Sequence, residues 1–126
     1  NPAKSNENIN SSIMKVAHRL DRGVVENLDY KEIFKIYDTV ETFFFLDPPY
    51  RHGTQYQVGR MNYDELLTEL KKLKGKFLLT IDDCKENRSL FKDFKIKKVS
   101  RVNGINRKEI VNNIFKELFV MNYAKD

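Results

Sequence analysis

Hydrophobic residues along this chain alternate between helical spacing and short continuous runs. The first helical pattern covers residues 12–20 behind Ser12 as the N-cap, and its apolar positions are Ile13, Val16, Ala17 and Leu20. Residues 24–28 (VVENL) then predict a short strand, and residues 30–37 predict a second helix. Residues 42–46 (TFFFL) form an apolar run of strand length, which is typical of a central parallel strand covered on both faces.

The alternation continues in the second half of the chain. Asn62 followed by Glu65 has the form of a capping box, and the helix behind it has a buried stripe made of Leu66, Leu67, Leu70 and Leu73. Gly75 ends this helix. Residues 76–81 predict another buried strand, and residues 85–91 predict a short helix.

Two further strands complete the pattern. In residues 94–102 apolar and polar side chains alternate well enough to predict a strand at or near a sheet edge. Its lysines would discourage unwanted pairing with another strand. Asn103-Gly104 is a strong turn signal, and residues 116–123 predict the closing strand. Helices and strands in this order indicate an α/β domain, with a mostly parallel sheet and a closing antiparallel hairpin.

Length and composition indicate one folded domain. A chain of 126 residues with 40% hydrophobic and 12% aromatic residues can form a single core. Residues 1–11 are polar and lack a periodic pattern, so they predict a flexible lead-in, and residues 12–126 form the domain. No apolar run approaches the roughly 20 residues of a membrane span, and no signal-peptide pattern is present. The chain begins at Asn1 rather than Met, so we expect that it was cut from a longer protein.

Charge and cysteine content narrow the range of partners. A net charge of +5 permits an anionic partner such as nucleic acid, although lysine-rich proteins are often basic without binding DNA. The lone Cys84 excludes an internal disulfide and fits a reducing cytoplasm. Together with His18 and His52 it shows no metal-ligand spacing, and the adjacent acids Asp82 and Asp83 are expected to point apart. The sequence therefore predicts no metal site.

The tetrapeptide Asp47-Pro48-Pro49-Tyr50 follows the most hydrophobic run of the chain. In open parallel sheets, ligands bind beyond the carboxyl ends of the strands, which is where this tetrapeptide is expected to lie. The two prolines fix φ and lack N–H groups, so their carbonyl oxygens act as acceptors in a rigid turn, and Tyr50 adds a flat aromatic face. A carboxylate, a carbonyl and a stacking surface suit a planar group that bears an NH₂, such as a flipped-out nucleobase.

Four segments, in order, resemble the Dam-type adenine-N6 DNA methyltransferases, in which the cofactor region precedes the target-recognition region and the DPPY motif follows. Residues 26–30 (ENLDY) resemble the segment beside the cofactor's adenine, and residues 43–50 (FFFLDPPY) resemble the catalytic motif. Residues 63–83 resemble the helix and strand that come next, and residues 116–123 (KELFVMNY) resemble the closing element. The resemblance implies a partial Rossmann-like fold that uses S-adenosylmethionine (SAM).

The resemblance also implies a role for individual residues. Asp47 and the Pro48 carbonyl would accept hydrogen bonds from the N6 amine of an adenine flipped out of double-stranded DNA, and would direct it towards the methyl group of SAM. Tyr50 would stack on that adenine. Asp29 would bind the adenine amine of SAM with Tyr30 beside the ring, although an acid at this position equally suits a helix cap and Tyr30 equally suits packing.

The loop that follows the motif has two interpretations. Residues 51–60 (RHGTQYQVGR) interleave basic, aromatic and glycine residues, which suits a lid or a contact with DNA phosphates. A solvated loop explains the composition nearly as well. His52 fits a surface histidine better than a general base, because an amine that loses its proton after methylation needs no strong base.

The sequence departs from the family in the cofactor region. The glycine-rich loop of the form F-x-G-x-G is absent, since all five glycines are isolated, and the target-recognition region is absent too, unless residues 1–11 are its tail. We therefore expect the catalytic half of a methyltransferase with little or no activity by itself. The alternatives are a non-enzymatic remnant that serves as a DNA-binding or assembly module, and an enzyme acting on RNA adenine. Missing strands would leave hydrophobic sheet edges, which predicts self-association or an edge-paired homodimer.

Overall fold

The computed structural model describes residues 2–52, 61–102 and 114–123, and their side chains at 8–52, 61–100 and 116–123. The helices are α1 (Pro2–Leu20), α2 (Tyr30–Tyr37), α3 (Tyr63–Lys72) and α4 (Lys85–Leu90). The strands are β1 (Phe43–Leu46), β2 (Lys76–Asp82), β3 (Lys95–Val102) and β4 (Ile114–Met121). The Asn103-Gly104 turn and residues 53–60 of the candidate lid lie outside the described residues.

Helix α1 begins ten residues earlier than its pattern predicts. From Pro2 onward, the segment expected as a loose lead-in is helical. Proline suits the first turn of a helix, residues 3–11 contain no further proline or glycine, and Ile9 extends the stripe by one turn before Ile13. Both isoleucines are more than half exposed. No helix among the described residues, α1 included, is long and apolar enough to cross a membrane.

The strand predicted for residues 24–28 is wrong. These residues form no regular element, and Val24 and Val25 are 77% and 94% exposed. A β-branched run becomes a strand only when a neighbouring strand offers hydrogen bonds and packing, and the described sheet has no strand beside this run. Asp29 therefore does not end a strand. It is the N-cap of α2, and its Oδ1 accepts the Lys31 backbone N–H at 2.9 Å.

The four-stranded sheet has the order β1-β2-β4-β3. Strands β1 and β2 are parallel, whereas β4 runs antiparallel to both β2 and β3. The mostly parallel sheet expected from the sequence is wrong, because one of these three pairs is parallel and two are antiparallel. The cause is that β4 inserts between β2 and β3 instead of adding to an edge. The antiparallel pairing of the last two strands and the edge position of β3 are both confirmed.

Strand β1 lies at the other edge and is not a central strand, so that prediction is also wrong. Phe44 is buried opposite Phe77, whereas Phe43 and Phe45 are 53% and 63% exposed. Successive strand residues point to opposite faces, so the three phenylalanines divide between a covered and an uncovered face. On the uncovered face the Phe43 ring meets the edge of Tyr123 at 5.6 Å between centroids, yet both phenylalanines stay more than half exposed.

The hydrophobic core lies on the covered face of the sheet. Phe34 of α2 packs on Phe44 at 5.0 Å between ring centroids, and Tyr63 of α3 meets Phe91 at 6.4 Å. The core residues are Phe34, Phe44, Tyr63, Leu66, Leu70, Phe77, Leu79, Ile81, Phe91, Leu118 and Val120. Asn62 caps α3 as predicted and accepts the Glu65 backbone N–H at 3.1 Å.

Side-chain hydrogen bonds hold the start of β2 against its neighbours. The carboxylate of Asp38, at the end of α2, accepts the backbone N–H groups of Lys74 and Gly75. Asn122 accepts the Phe77 N–H and donates to the Gly75 carbonyl, both at 2.9 Å. The point where the chain enters β2 is thus linked to both α2 and the end of β4.

The chain is closely packed at Gly75, where it enters β2. A Cβ at Gly75 would lie 2.6 Å from the Thr42 carbonyl oxygen and 2.8 Å from the Thr39 carbonyl oxygen. These are backbone atoms, and the Thr42 carbonyl also accepts the Lys76 N–H at 2.9 Å, so they cannot move aside freely. We expect Gly75→Ala to lower the free energy of unfolding by about 1–3 kcal/mol, measured by urea denaturation.

Gly23→Ala is the matched control. Its new Cβ would meet only the Leu20 carbonyl oxygen at 3.3 Å, so we expect a smaller loss of stability. Equal losses in the two variants would contradict the packing explanation.

Candidate active site

Residues 47–51, the segment that leaves β1, cross the carboxyl end of β2. Leu46 is paired with Leu79, so the chain continues from β1 past Thr80. The Thr80 hydroxyl, on a residue only 7% exposed, donates to Oδ1 of Asp47 at 2.8 Å. The Asp47 carboxylate is exposed, yet a buried hydroxyl from the neighbouring strand orients it. This strand end is where the sequence predicted the side chain to lie.

The two proline carbonyls have different environments. The Tyr63 hydroxyl, at the start of α3, donates to the Pro49 carbonyl at 2.7 Å. Burial, helped by the negative charge of Asp82, raises the pKa of Tyr63 to about 12, so this hydroxyl stays protonated and remains a donor at neutral pH. Within the described residues the Pro48 carbonyl accepts no hydrogen bond.

Tyr50 is fixed from β4. Its hydroxyl hydrogen-bonds to the carboxylate of Glu117, a residue only 6% exposed that lies opposite Asp82 in the sheet. A buried acid requires a polar partner, and the half-buried tyrosine supplies one. The position of the Tyr50 ring therefore depends on a strand nearly seventy residues further along the chain.

Arg51 ends the segment with three contacts. Its backbone N–H donates to Oδ1 of Asp82 at 3.0 Å, and its Nε donates to Oδ1 of Asn87 at 3.0 Å. Its guanidinium lies 4.6 Å from the centroid of the Tyr63 ring. The Asn87 amide donates in turn to Asp82, so the whole group is cross-linked beyond the end of β2.

Asp29 and Tyr30 lie at the start of α2. The chain reverses direction between α2 and β1, and Phe34 in mid-helix packs on Phe44 in mid-strand, so the start of α2 and Asp47 share one end of the sheet. Asp29 caps the helix, and the Tyr30 ring packs edge-on against Phe34 at 5.5 Å. Within the described residues neither forms a hydrogen bond to the 47–51 segment.

The Tyr30 hydroxyl lies near charged side chains, among them Glu65 and Lys31. The hydroxyl oxygen is buried and has no hydrogen-bond partner among the described residues. Burial, and after it the charge of Glu65, raises the pKa of Tyr30, so the phenol is neutral at pH 7. The observed contacts are those of the alternatives named above, namely a helix cap for Asp29 and packing for Tyr30.

A group of potential metal ligands lies next to this segment, although the sequence predicted none. One ligand atom each from His52, Asp82 and Cys84 lies within 4.8 Å of the other two. The Cys84 sulfur accepts the Asn87 backbone N–H at 3.4 Å and caps α4, and burial raises the pKa of the thiol. Asp82 lies thirty positions after His52, so no local spacing motif could reveal the cluster.

Sequence reasoning missed most residues that hold the segment in place. In the sequence, Thr80 looks like an ordinary residue of a buried strand, and Tyr63 looks like an ordinary first-turn residue of a capped helix. Asp82 and Glu117 carried a signal, because one belongs to an acidic pair at a strand end and the other to the closing element. Their partners in the segment could not be derived from that signal.

Comparison with known proteins identifies the family. The family profile of the D12 class N6 adenine-specific DNA methyltransferases matches residues 1–105, which is 105 of the 126 residues and runs from α1 through β3. No curated protein matches the chain. The matched range contains the 47–51 segment and its contacts with Tyr63, Thr80 and Asp82, whereas Glu117 lies beyond it. The chain belongs to the D12 class of N6 adenine-specific DNA methyltransferases, a family of enzymes that methylate adenine in DNA.

Proposed function

We propose that this chain is the catalytic segment of a Dam-type enzyme, and that residues 47–50 hold the N6 amine of an adenine flipped out of double-stranded DNA. One observation carries the proposal: an exposed carboxylate, Asp47, lies at the end of β1 and is oriented by the buried Thr80 hydroxyl. A carboxylate held in this way can accept a hydrogen bond from the amine without first changing its orientation. The family match supports adenine in DNA as the substrate.

The different environments of the two prolines support a specific second acceptor. The Pro49 carbonyl already accepts the Tyr63 hydroxyl, whereas the Pro48 carbonyl accepts nothing within the described residues. We assign the second amine hydrogen to Pro48. Two acceptors then fix both hydrogens of the NH₂ group, which directs the nitrogen lone pair away from them. Tyr50, positioned by Glu117, supplies the stacking surface for the base.

For methyl transfer, the main task of the protein is to position the adenine amine. When bound, SAM supplies the methyl group. The amine nitrogen becomes positively charged as it is alkylated, and the Asp47 carboxylate and the Pro48 carbonyl stabilise that charge. The excess proton is then lost readily, so no strong base is needed.

Cofactor contacts are proposed at the start of α2. Asp29 is exposed there, and its Oδ1 caps the helix, so the carboxylate still has a second oxygen to accept the adenine amine of SAM. Tyr30 would lie beside that ring, and Asp47 would lie on the methyl side. All three residues share one end of the sheet, which fits a ligand that spans α2 and β1.

The isolated chain is proposed to be inactive. No F-x-G-x-G segment is present among its five glycines, so the main contacts for the cofactor are missing. The alternative role, a DNA-binding or assembly module without catalysis, uses the same fold and the same basic charge. We also propose a cytoplasmic location, because a lone thiol suits a reducing compartment.

Cofactor binding by the chain alone is the first test. We expect no binding of SAM at micromolar concentrations in isothermal titration calorimetry, and no N6-methyladenine in DNA incubated with the chain and SAM. The physical reason is that Asp29, Tyr30 and Asp47 form only one side of a cofactor site.

Micromolar binding that weakens in Asp29→Ala or Asp47→Ala would contradict the proposed inactivity of the chain. Asp29→Ser is the control in that case, because serine preserves the helix cap and removes only the carboxylate. Equal loss in the serine and alanine variants would assign the effect to the carboxylate rather than to the fold of α2.

The role of Thr80 is tested in a longer polypeptide that also carries the glycine-rich cofactor loop. We expect Asp47→Asn to lower kcat by about 100-fold or more, because it removes the charged acceptor. Thr80→Val keeps the shape of the side chain but leaves Asp47 without its hydroxyl partner, and we expect a fall in kcat of roughly 10-fold. Thr80→Ser should retain activity. The measurement is N6-methyladenine formed per minute, and equal rates for the valine and serine variants would refute the positioning role.

Self-association through the edge of β1 is proposed as well. Phe43 and Phe45 are exposed on β1, whose outer edge has no partner strand among the described residues, and such an edge is prone to pairing with another chain. We expect a concentration-dependent dimer in sedimentation velocity that Phe45→Lys weakens. Val40→Lys, at a residue 73% exposed outside the strand, should leave it unchanged. A monomer at all concentrations would contradict self-association through the edge of β1.

A further inference from the structure

We propose that His52, Asp82 and Cys84, joined by Glu86, form a Zn²⁺ site beside the candidate active site. The imidazole, thiol and carboxylate of the first three supply ligand atoms that all lie within 4.8 Å of one another. The Glu86 carboxylate lies 4.0 Å from Nε2 of His52, and Glu86 is two residues after Cys84. Three donors of three chemical types are thus close together, and Glu86 lies beside His52 as the candidate fourth ligand.

The two inner ligands are already oriented by other groups. The Asp82 carboxylate accepts the Arg51 backbone N–H and the Asn87 amide, each at 3.0 Å. The Cys84 sulfur accepts the Asn87 backbone N–H. Outer hydrogen bonds of this kind hold ligand atoms in place before a metal arrives. Asp83 takes no part, because it points to Arg88 and forms an ion pair there.

The outer ligands lie on the solvent side and can adjust. Zinc bonds of about 2.0–2.3 Å in a tetrahedron bring ligand atoms to within roughly 3.8 Å of one another. The cluster must therefore tighten by about an ångström. The His52 and Glu86 side chains are 62% and 60% exposed, so they can move by this amount without disturbing the core.

The donor set favours zinc over the other common cations. Calcium and magnesium prefer sites made only of oxygen, whereas a thiol with an imidazole and carboxylates suits Zn²⁺. The sulfur binds as thiolate, so its proton leaves for solvent when the metal binds. A metal held here would tie His52, two residues after Tyr50, to the end of β2 and restrain the chain beyond the DPPY motif.

The experiment uses the full chain, freed of metal by a chelator, with ZnCl₂ in calorimetry and CoCl₂ in absorption spectroscopy. We expect one Zn²⁺ per monomer, and a Co²⁺ spectrum with a thiolate charge-transfer band and the strong visible bands of a tetrahedral site. Cys84→Ser and His52→Ala should each weaken Zn²⁺ binding at least tenfold, and the serine variant should lose the charge-transfer band.

The variants are chosen to keep the fold intact. Serine is a good N-cap, so Cys84→Ser preserves the cap of α4 while removing the soft ligand. His52 is exposed, and His18→Ala, which removes an exposed histidine of α1, is the matched control and should bind zinc as the unaltered chain does. Equal affinity in all variants, absence of binding, or one Zn²⁺ shared between two chains would each overturn the proposal.

Discussion

The parallel pairing of β1 with β2 is the constraint on which the rest of the site depends. With Leu46 opposite Leu79, the chain that leaves β1 crosses the end of β2. Hydrogen bonds along residues 47–51 then hold it, among them those of Thr80 with Asp47, Tyr63 with Pro49, Glu117 with Tyr50 and Asp82 with Arg51. A shift of one residue between β1 and β2 would move Asp47 and Arg51 away from Thr80 and Asp82 of β2, so the register of this pair also specifies the site.

The contacts also make the site depend on elements far away in sequence. Glu117 belongs to β4, which reaches the end of β2 only because it inserts between β2 and β3. Asn122, at the end of the same strand, holds the start of β2 through two hydrogen bonds. The closing segment thus contributes at both ends of β2, with Glu117 opposite Asp82 and Asn122 bonded to Phe77 and Gly75. Loss of β4 would remove a wall of the core and the partner of Tyr50 at once.

Local chemistry explains which features the sequence could predict. Element types were right where the pattern is long or the cap is specific, as in α3 behind Asn62 and β3 with its lysines. The strand order could not be predicted, because β2 and β4 are some forty residues apart in the sequence and neither strand carries a pattern that specifies its neighbour. The same limit hid the partners of the motif. The DPPY residues Asp47 and Pro49 could be recognised from the sequence, but Thr80 and Tyr63 are identified as their partners only by the fold.

The two errors at residues 24–28 and in β1 have a common physical origin. Strand propensity measures how well a side chain packs on a pleated surface, so it is realised only where such a surface exists. Val24 and Val25 have none among the described residues and stay exposed, and Phe43 and Phe45 expose the face that a central strand would bury. Yet these are among the most strand-like residues of the chain. Phe43 and Phe45 thus leave large apolar surface exposed directly before the DPPY motif, on a strand whose outer edge no described strand covers.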